Sequence, residues 1–208
     1  MPRFPQLRYA IRAVSELIPD EDAAARVRDL LWEDRRAAAN RYRPFAAQRQ
    51  SLAASWALHQ LLIQEGIDPA DLMLARTAAG QPYCVNRSNV FISFSHTEAW
   101  VMAAFASVPV GCDIERIRSV SDEMASLVLS SDEKSRYAKQ SSPTAQAAYF
   151  TRCWVRKESF VKARGTGFEG DPSQIDLAQL TPDYQFEDCP TPSPNHLASL
   201  CLGFVVPH

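Results

Sequence analysis

The chain has no net charge to speak of, no paired cysteine motif, no long apolar run and no glycine-rich loop, and each absence removes a class of function. Lys and Arg total 22 against 24 Asp and Glu, a formal charge of −2, so nothing global attracts nucleic acid and any anion site must be local. Five scattered cysteines, Cys84, Cys112, Cys153, Cys189 and Cys201, form no CxxC pair and leave one over if paired, so they read as free core thiols rather than a disulfide frame or zinc site. Met1–Ala10 lacks the continuous apolar stretch of a signal peptide and no later segment is apolar enough to span a bilayer, which predicts a cytoplasmic protein without membrane contact. With seven glycines in 208 residues there is no phosphate-cradling loop, and no Ser/His/Asp triad signature. Chemistry must then rest on carboxylates, lysines and His96.

What is present is an ordinary globular balance, 46% hydrophobic and 22% charged. Val27, Leu30 and Leu31 within 21–40 and Leu52, Trp56, Leu58, Leu61 and Leu62 within 48–65 fall at helical spacing, predicting two amphipathic helices, the second closed by Gly66 and Asp68-Pro69. Ala79-Gly80-Gln81-Pro82 reads as a turn. Short apolar runs at Val90–Phe94, Trp100–Ala106 and Val108–Ile114 read as strands. The second half then repeats the first. Leu129-Ser130-Ser131-Asp132-Glu133 opens a charged helix, Tyr149–Ala163 forms another ending at Gly165, Pro190–Pro194 is a loop and Leu200–Val206 a closing strand. Leu31-Trp32-Glu33-Asp34 precedes Gly66-Ile67-Asp68-Pro69 by nearly the interval from Leu129-Ser130-Ser131-Asp132 to Gly170-Asp171-Pro172. The expected fold is α+β, two similar halves from an internal duplication, 1–107 and 108–208, with a ligand cleft between them.

Strand alternation over Val110–Glu115 buries Val110, Cys112 and Ile114 and sends Asp113 and Glu115 to the opposite face, roughly 7 Å apart, where carboxylates can converge on one hard cation such as Mg2+. Gly111 beside them is expected to leave room for a ligand. An isolated DxE is more often a solvated strand face, and Glu158 with Lys162 at i,i+4 is by itself an ordinary helix pair contributing about 0.2–0.5 kcal/mol. Lys157, however, falls within the apolar stripe of Phe150, Cys153, Trp154 and Val161, so its amine is expected to emerge at an edge toward an anion. Ser95 and His96 end an apolar strand, where hydroxyl and imidazole can meet phosphate.

Taken together, Gly111-Cys112-Asp113-Ile114-Glu115, Trp154-Val155-Arg156-Lys157-Glu158 through Lys162, and Phe94-Ser95-His96 resemble the Sfp-type 4'-phosphopantetheinyl transferases over roughly Leu31–Leu177. The resemblance implies a pseudo-dimer of two α/β halves with the active site at their interface. It implies Mg2+ on Asp113, Glu115 and Glu158, bridging the coenzyme A pyrophosphate. The implied reaction moves phosphopantetheine to a serine of an apo acyl or peptidyl carrier protein, releasing 3',5'-ADP. Glu158, directly or through a water, is then the base, and Lys162 stabilises the leaving phosphate. Ser95, His96, Arg35, Ser51 and Lys157 are the implied coenzyme A contacts, in a monomer whose cleft is flanked by arginines facing an acidic carrier. The sequence departs from the family at Gln81, where many relatives have lysine, at Ser93 for a frequent asparagine and at His59 for a frequent arginine; Arg49 and Arg36 are the candidates to compensate. Two alternatives stay open: another metal-dependent phosphodiester enzyme such as a nuclease, and a non-catalytic coenzyme A or carrier-binding module.

Overall fold

The computed structural model describes residues 7–204 apart from 79, 169, 181 and 182, so parts of the expected N-terminal segment, the Ala79 turn and the Leu200–Val206 strand lie outside the described residues. The chain is mixed α/β. Strand β1 (Leu7–Ala13) leads into helices α1 (Val14–Leu17), α2 (Glu21–Leu30), α3 (Glu33–Asn40) and α4 (Phe45–Gln64). A two-stranded ribbon, β2 (Leu74–Arg76) and β3 (Pro82–Cys84), is followed by β4 (Phe91–His96) and β5 (Trp100–Ala106). Then come β6 (Val110–Arg116), α5 (Asp122–Val128), α6 (Ser131–Ala138), α7 (Pro143–Arg164), β7 (Tyr184–Cys189) and β8 (His196–Gly203).

The two main sheets are antiparallel and share a connection pattern. In the first, β5 lies between β1 and β4; in the second, β8 lies between β6 and β7. In each, the first strand is followed by helices and the last strand takes the central place. Each long helix is followed by a one-turn 3-10 segment capped by an Asp: Asp68 before Pro69–Asp71 and Asp171 before Pro172–Gln174.

Alternation along β5 explains the layering. Val101, Ala103 and Phe105 join the cluster containing Leu52, Leu58 and Leu62 of α4. Met102, Ala104 and Ala106 instead pack with Val110, Cys112 and Ile114 of β6 and Leu200 of β8. One face of the first sheet therefore carries α4 and the other meets the second sheet, whose far face carries α7 through Phe160, Val161 and Ala163.

The expected single helix over 21–40 is two. Leu31 turns extended at ψ 158° and enters the core, while Trp32 Nε1 donates to Pro69 O at 2.9 Å. Burying these two side chains outweighs continuing the helix. Helix α7 begins at Pro143, earlier than its apolar stripe, because Ser142 caps Ala145 N and proline suits the first turn. It ends as expected at Gly165, whose φ of 78° is left-handed. Cys84, Cys112, Cys153, Cys189 and Cys201 are free and buried.

Gly111 serves a different purpose from the one expected. A Cβ there would stand 1.8 Å from Ser159 O and 2.5 Å from Ala163 N, so the space beside Gly111 is filled by the backbone of α7 and not by a ligand. Gly111→Ala should destabilise the chain by about 3 kcal/mol or more, because backbone atoms on both sides must shift; chemical denaturation of the purified variant checks this.

Candidate functional site

Close approach of α7 to β6 decides what the helix carries over the strand. Asp113, 3% exposed, lies on the same strand face as Gly111, and Lys162, one turn past Glu158, reaches it. Lys162 Nζ stands 2.7 Å from Asp113 Oδ1 and donates to Cys112 O at 3.1 Å. Ser95 Oγ donates to the same Asp113 oxygen at 2.7 Å. The second oxygen, Oδ2, is buried without a hydrogen-bond partner.

Glu115 and Glu158 are disturbed by burial and by the acids around them. Burial, then the Asp113 and Glu115 charges, push the Glu158 carboxyl up to about 7 against the opposing pull of Lys162. Burial and Asp113 likewise raise Glu115. Burial works to lower the Lys162 ammonium, but Asp113, Cys112 and Glu158 outweigh it and hold its pKa above the ordinary value. Among the described residues no group of three His, Cys, Asp or Glu side chains is drawn close enough to hold a metal as a set, and Lys162 is the cation at Asp113. The donor chemistry nevertheless fits a hard divalent ion: oxygen ligands throughout, an unpartnered carboxylate oxygen, and acids whose charging a cation would relieve.

Glu158 and Lys162 open onto a cleft of about 530 Å³ lined from both halves of the chain, by Arg35, Arg41, Tyr42, Ser51, Arg76, Gln81, Phe94 and His96 on one side and Glu158, Val161, Lys162 and Phe168 on the other. Arg35 Nε donates to Ser55 Oγ at 2.8 Å and its guanidinium lies 4.4 Å over the Phe94 ring. Burial and the nearby Arg76 lower it to about 10, which leaves it charged at neutral pH. Arg76 pairs with Asp34 at 3.0 Å and donates to Gly80 O. Burial, with Lys162 and Arg35, lowers His96, so its imidazole is neutral at pH 7.

The structure brings together Asp113, Glu158, Lys162, His96, Arg35 and Ser51 at or beside this cleft; Glu115, two residues along β6, faces the neighbouring grooves with Arg116 and Arg118. Two expectations need correction. Lys157 does not emerge at an edge: it is fully buried, its Nζ held by Glu133 at 2.7 Å, Val128 O at 2.7 Å and Pro172 O at 3.0 Å. All three donors of its ammonium are occupied, so it ties α7 to α6 and has no donor to spare for a ligand. Ser95 is engaged with Asp113 rather than lining the cleft. Of the proposed substitutes for lysine at Gln81, Arg49 donates to Ile18 O and neither it nor Arg36 lines the cleft. Gln81 itself donates to Lys162 O. His59, half-buried, stacks on Trp56 at 4.6 Å. Arg41, Tyr42 and Arg76 escaped the sequence reading. Arg41 follows a helix end, where loops gather function, but Arg76 sits in a three-residue strand without periodicity.

Comparison with known proteins finds sequence likenesses of one kind. Residues 109–201 match the family model described as the 4'-phosphopantetheinyl transferase superfamily. The chain is 33% identical over 104 residues to 4'-phosphopantetheinyl transferase Sfp of Bacillus subtilis, covering 50% of this chain and 46% of that protein. It is 29% identical over 153 residues to 4'-phosphopantetheinyl transferase psf-1 of Bacillus pumilus, covering 73% and 65%. Against 4'-phosphopantetheinyl transferase AcpT of Salmonella typhi it is 30% identical over 115 residues, covering 54% and 59%. The chain thus spans about half to two thirds of the length of these relatives. Its C-terminal half matches the phosphopantetheinyl transferase superfamily model, and the resemblance to the Sfp type holds. Among the described residues no helix is long and apolar enough to cross a membrane.

The raised carboxyl of Glu158 carries a sign that can be checked. A glutamate of ordinary pKa 4.5 whose folded value is about 7 destabilises the metal-free fold from pH 4.5 upward, and the whole cost is present above 7. Glu158→Gln should therefore stabilise the metal-free protein by about 1–3 kcal/mol at pH 8 and by less than about 1 kcal/mol at pH 5; denaturation at the two pH values measures the difference.

Proposed function

We propose that the protein transfers the 4'-phosphopantetheine arm of coenzyme A to a serine of an apo acyl or peptidyl carrier protein and releases 3',5'-ADP. The observation that carries this reading is the Asp113–Lys162 pair, with Asp113 Oδ2 unpartnered, at a cleft lined by Arg35, Arg41 and Arg76. Such a cleft suits a pyrophosphate, because fixed cations beside acids that attract a metal hold both the ligand and its counter-ion. The superfamily match over 109–201 and the names of the relatives support the same reaction.

Asp113, Glu115 and Glu158 would hold Mg2+, which when bound supplies positive charge against the pyrophosphate oxygens. The chain's own residues do the rest. Arg35, Arg41, Arg76 and neutral His96 receive the nucleotide phosphates, with Ser51 beside them. Glu158, poised near neutrality, accepts the proton of the carrier serine as its oxygen bonds to phosphorus. The bond from that phosphorus to the 3',5'-ADP oxygen breaks, and the Lys162 ammonium offsets the charge arriving there. The shared connection pattern of the two sheets supports a pseudo-dimer whose halves, 1–107 and 108–208, meet at the active cleft. A cytoplasmic monomer acting on an acidic carrier completes the proposal.

Intact mass of apo carrier proteins incubated with coenzyme A and Mg2+ should rise by one phosphopantetheine and should not rise in EDTA; no gain on any carrier of a varied panel contradicts the reading. Glu158→Ala should lower turnover by roughly 100-fold or more. Lys162→Ala should lower kcat more than it raises KM for coenzyme A, with steady-state kinetics as the measure.

A further inference from the structure

Strands β4 and β6 lie side by side where the two sheets meet, yet they share no backbone ladder; the bonding between them comes from side chains. Ser93 Oγ accepts from Cys112 N at 2.9 Å and Ser95 Oγ accepts from Ile114 N at 3.3 Å. Alternate hydroxyls of β4 thus serve alternate amides of β6, at the period of two that strands impose. Both serines are buried, at 3% and 8% exposure, so each hydroxyl prevents a stranded amide.

Beyond that shared task the two differ. Ser95 has its proton to spare and donates it to Asp113 Oδ1 at 2.7 Å, the oxygen that Lys162 also holds. Among the described residues, Ser93 makes no comparable carboxylate contact. With both donors on one oxygen, Oδ2 is the oxygen left without a partner. The geometry points to Ser95 as a positioning residue that orients the Asp113 carboxylate for a divalent cation, in place of the phosphate contact that resemblance suggests, while Ser93, which lines the cleft, serves the Cys112 amide and leaves Asp113 alone. This rests on the metal assignment of the proposed function, but the orientation it describes exists without metal.

Ser93→Ala and Ser95→Ala supply a matched pair, since each strands one β6 amide and both should lower the melting temperature to a similar extent. In metal-free crystal structures Asp113 should leave its Oδ1 position in Ser95→Ala and keep it in Ser93→Ala. Calorimetric Mg2+ affinity should fall about tenfold or more in Ser95→Ala, the effect of one hydrogen bond to a charged group, and less than twofold in Ser93→Ala. Ser95→Thr, which keeps the hydroxyl, should restore it, and 3',5'-ADP affinity without metal should change less than twofold in Ser95→Ala. An unmoved Asp113, equal Mg2+ losses in both serine variants, or lost nucleotide affinity at unchanged Mg2+ affinity overturns the assignment. If the parent protein binds no Mg2+, the metal reading fails while the position of Asp113 still decides the role of Ser95.

Discussion

Everything at this site depends on how closely α7 is pressed to β6. At Gly111 the helix backbone lies where any side chain would have to be. That contact sets the helix at a height from which Lys162, on its flank, meets both Cys112 O and Asp113. It also carries Glu158 near acids of its own sign. A larger residue at 111 would move the helix outward and separate the cation from its carboxylate. The site is thus a consequence of backbone packing before it is one of charge.

Holding several acids and a lysine at such an edge costs free energy, and the rest of α7 offsets it. The apolar side packs Phe160, Val161 and Ala163 on Cys201 and its neighbours. Farther toward the N-terminus, Lys157 is closed into a fully satisfied ion pair with Glu133, which itself completes the capping box of α6 at Ser130. A buried pair of this kind is a weak source of net stability but strongly penalises any other arrangement, because breaking it strands a charge. Lys157 and Lys162 are five residues apart on one helix: one fixes the helix in place, the other faces the cleft.

Much of this was legible in sequence. Strand alternation correctly sent Asp113 away from Val110, Cys112 and Ile114, and Gly165 closed α7 where it stands as a left-handed cap. Helical spacing also indicated that Lys157 was partly buried, but periodicity reports which face a residue occupies and not what waits there. Glu133, 24 positions earlier in the chain, was invisible as its partner. Gly111 failed for the same reason: a small residue announces close approach, and only the fold tells whether a ligand or a helix approaches. The break at Leu31–Trp32 depended on a distant acceptor, Pro69 O, and Arg76 on a ribbon too short to show a period.

The central claim, that α7 and β6 assemble an oxygen site whose charge awaits a divalent cation, is tested most directly by titrating Mg2+ into the ligand-free protein calorimetrically, in buffers of different ionisation enthalpy. With Glu158 near pKa 7, binding at pH 7 should release about half a proton and at pH 8.5 almost none. Mg2+ binding without proton release at pH 7, or no binding at all, would contradict the account.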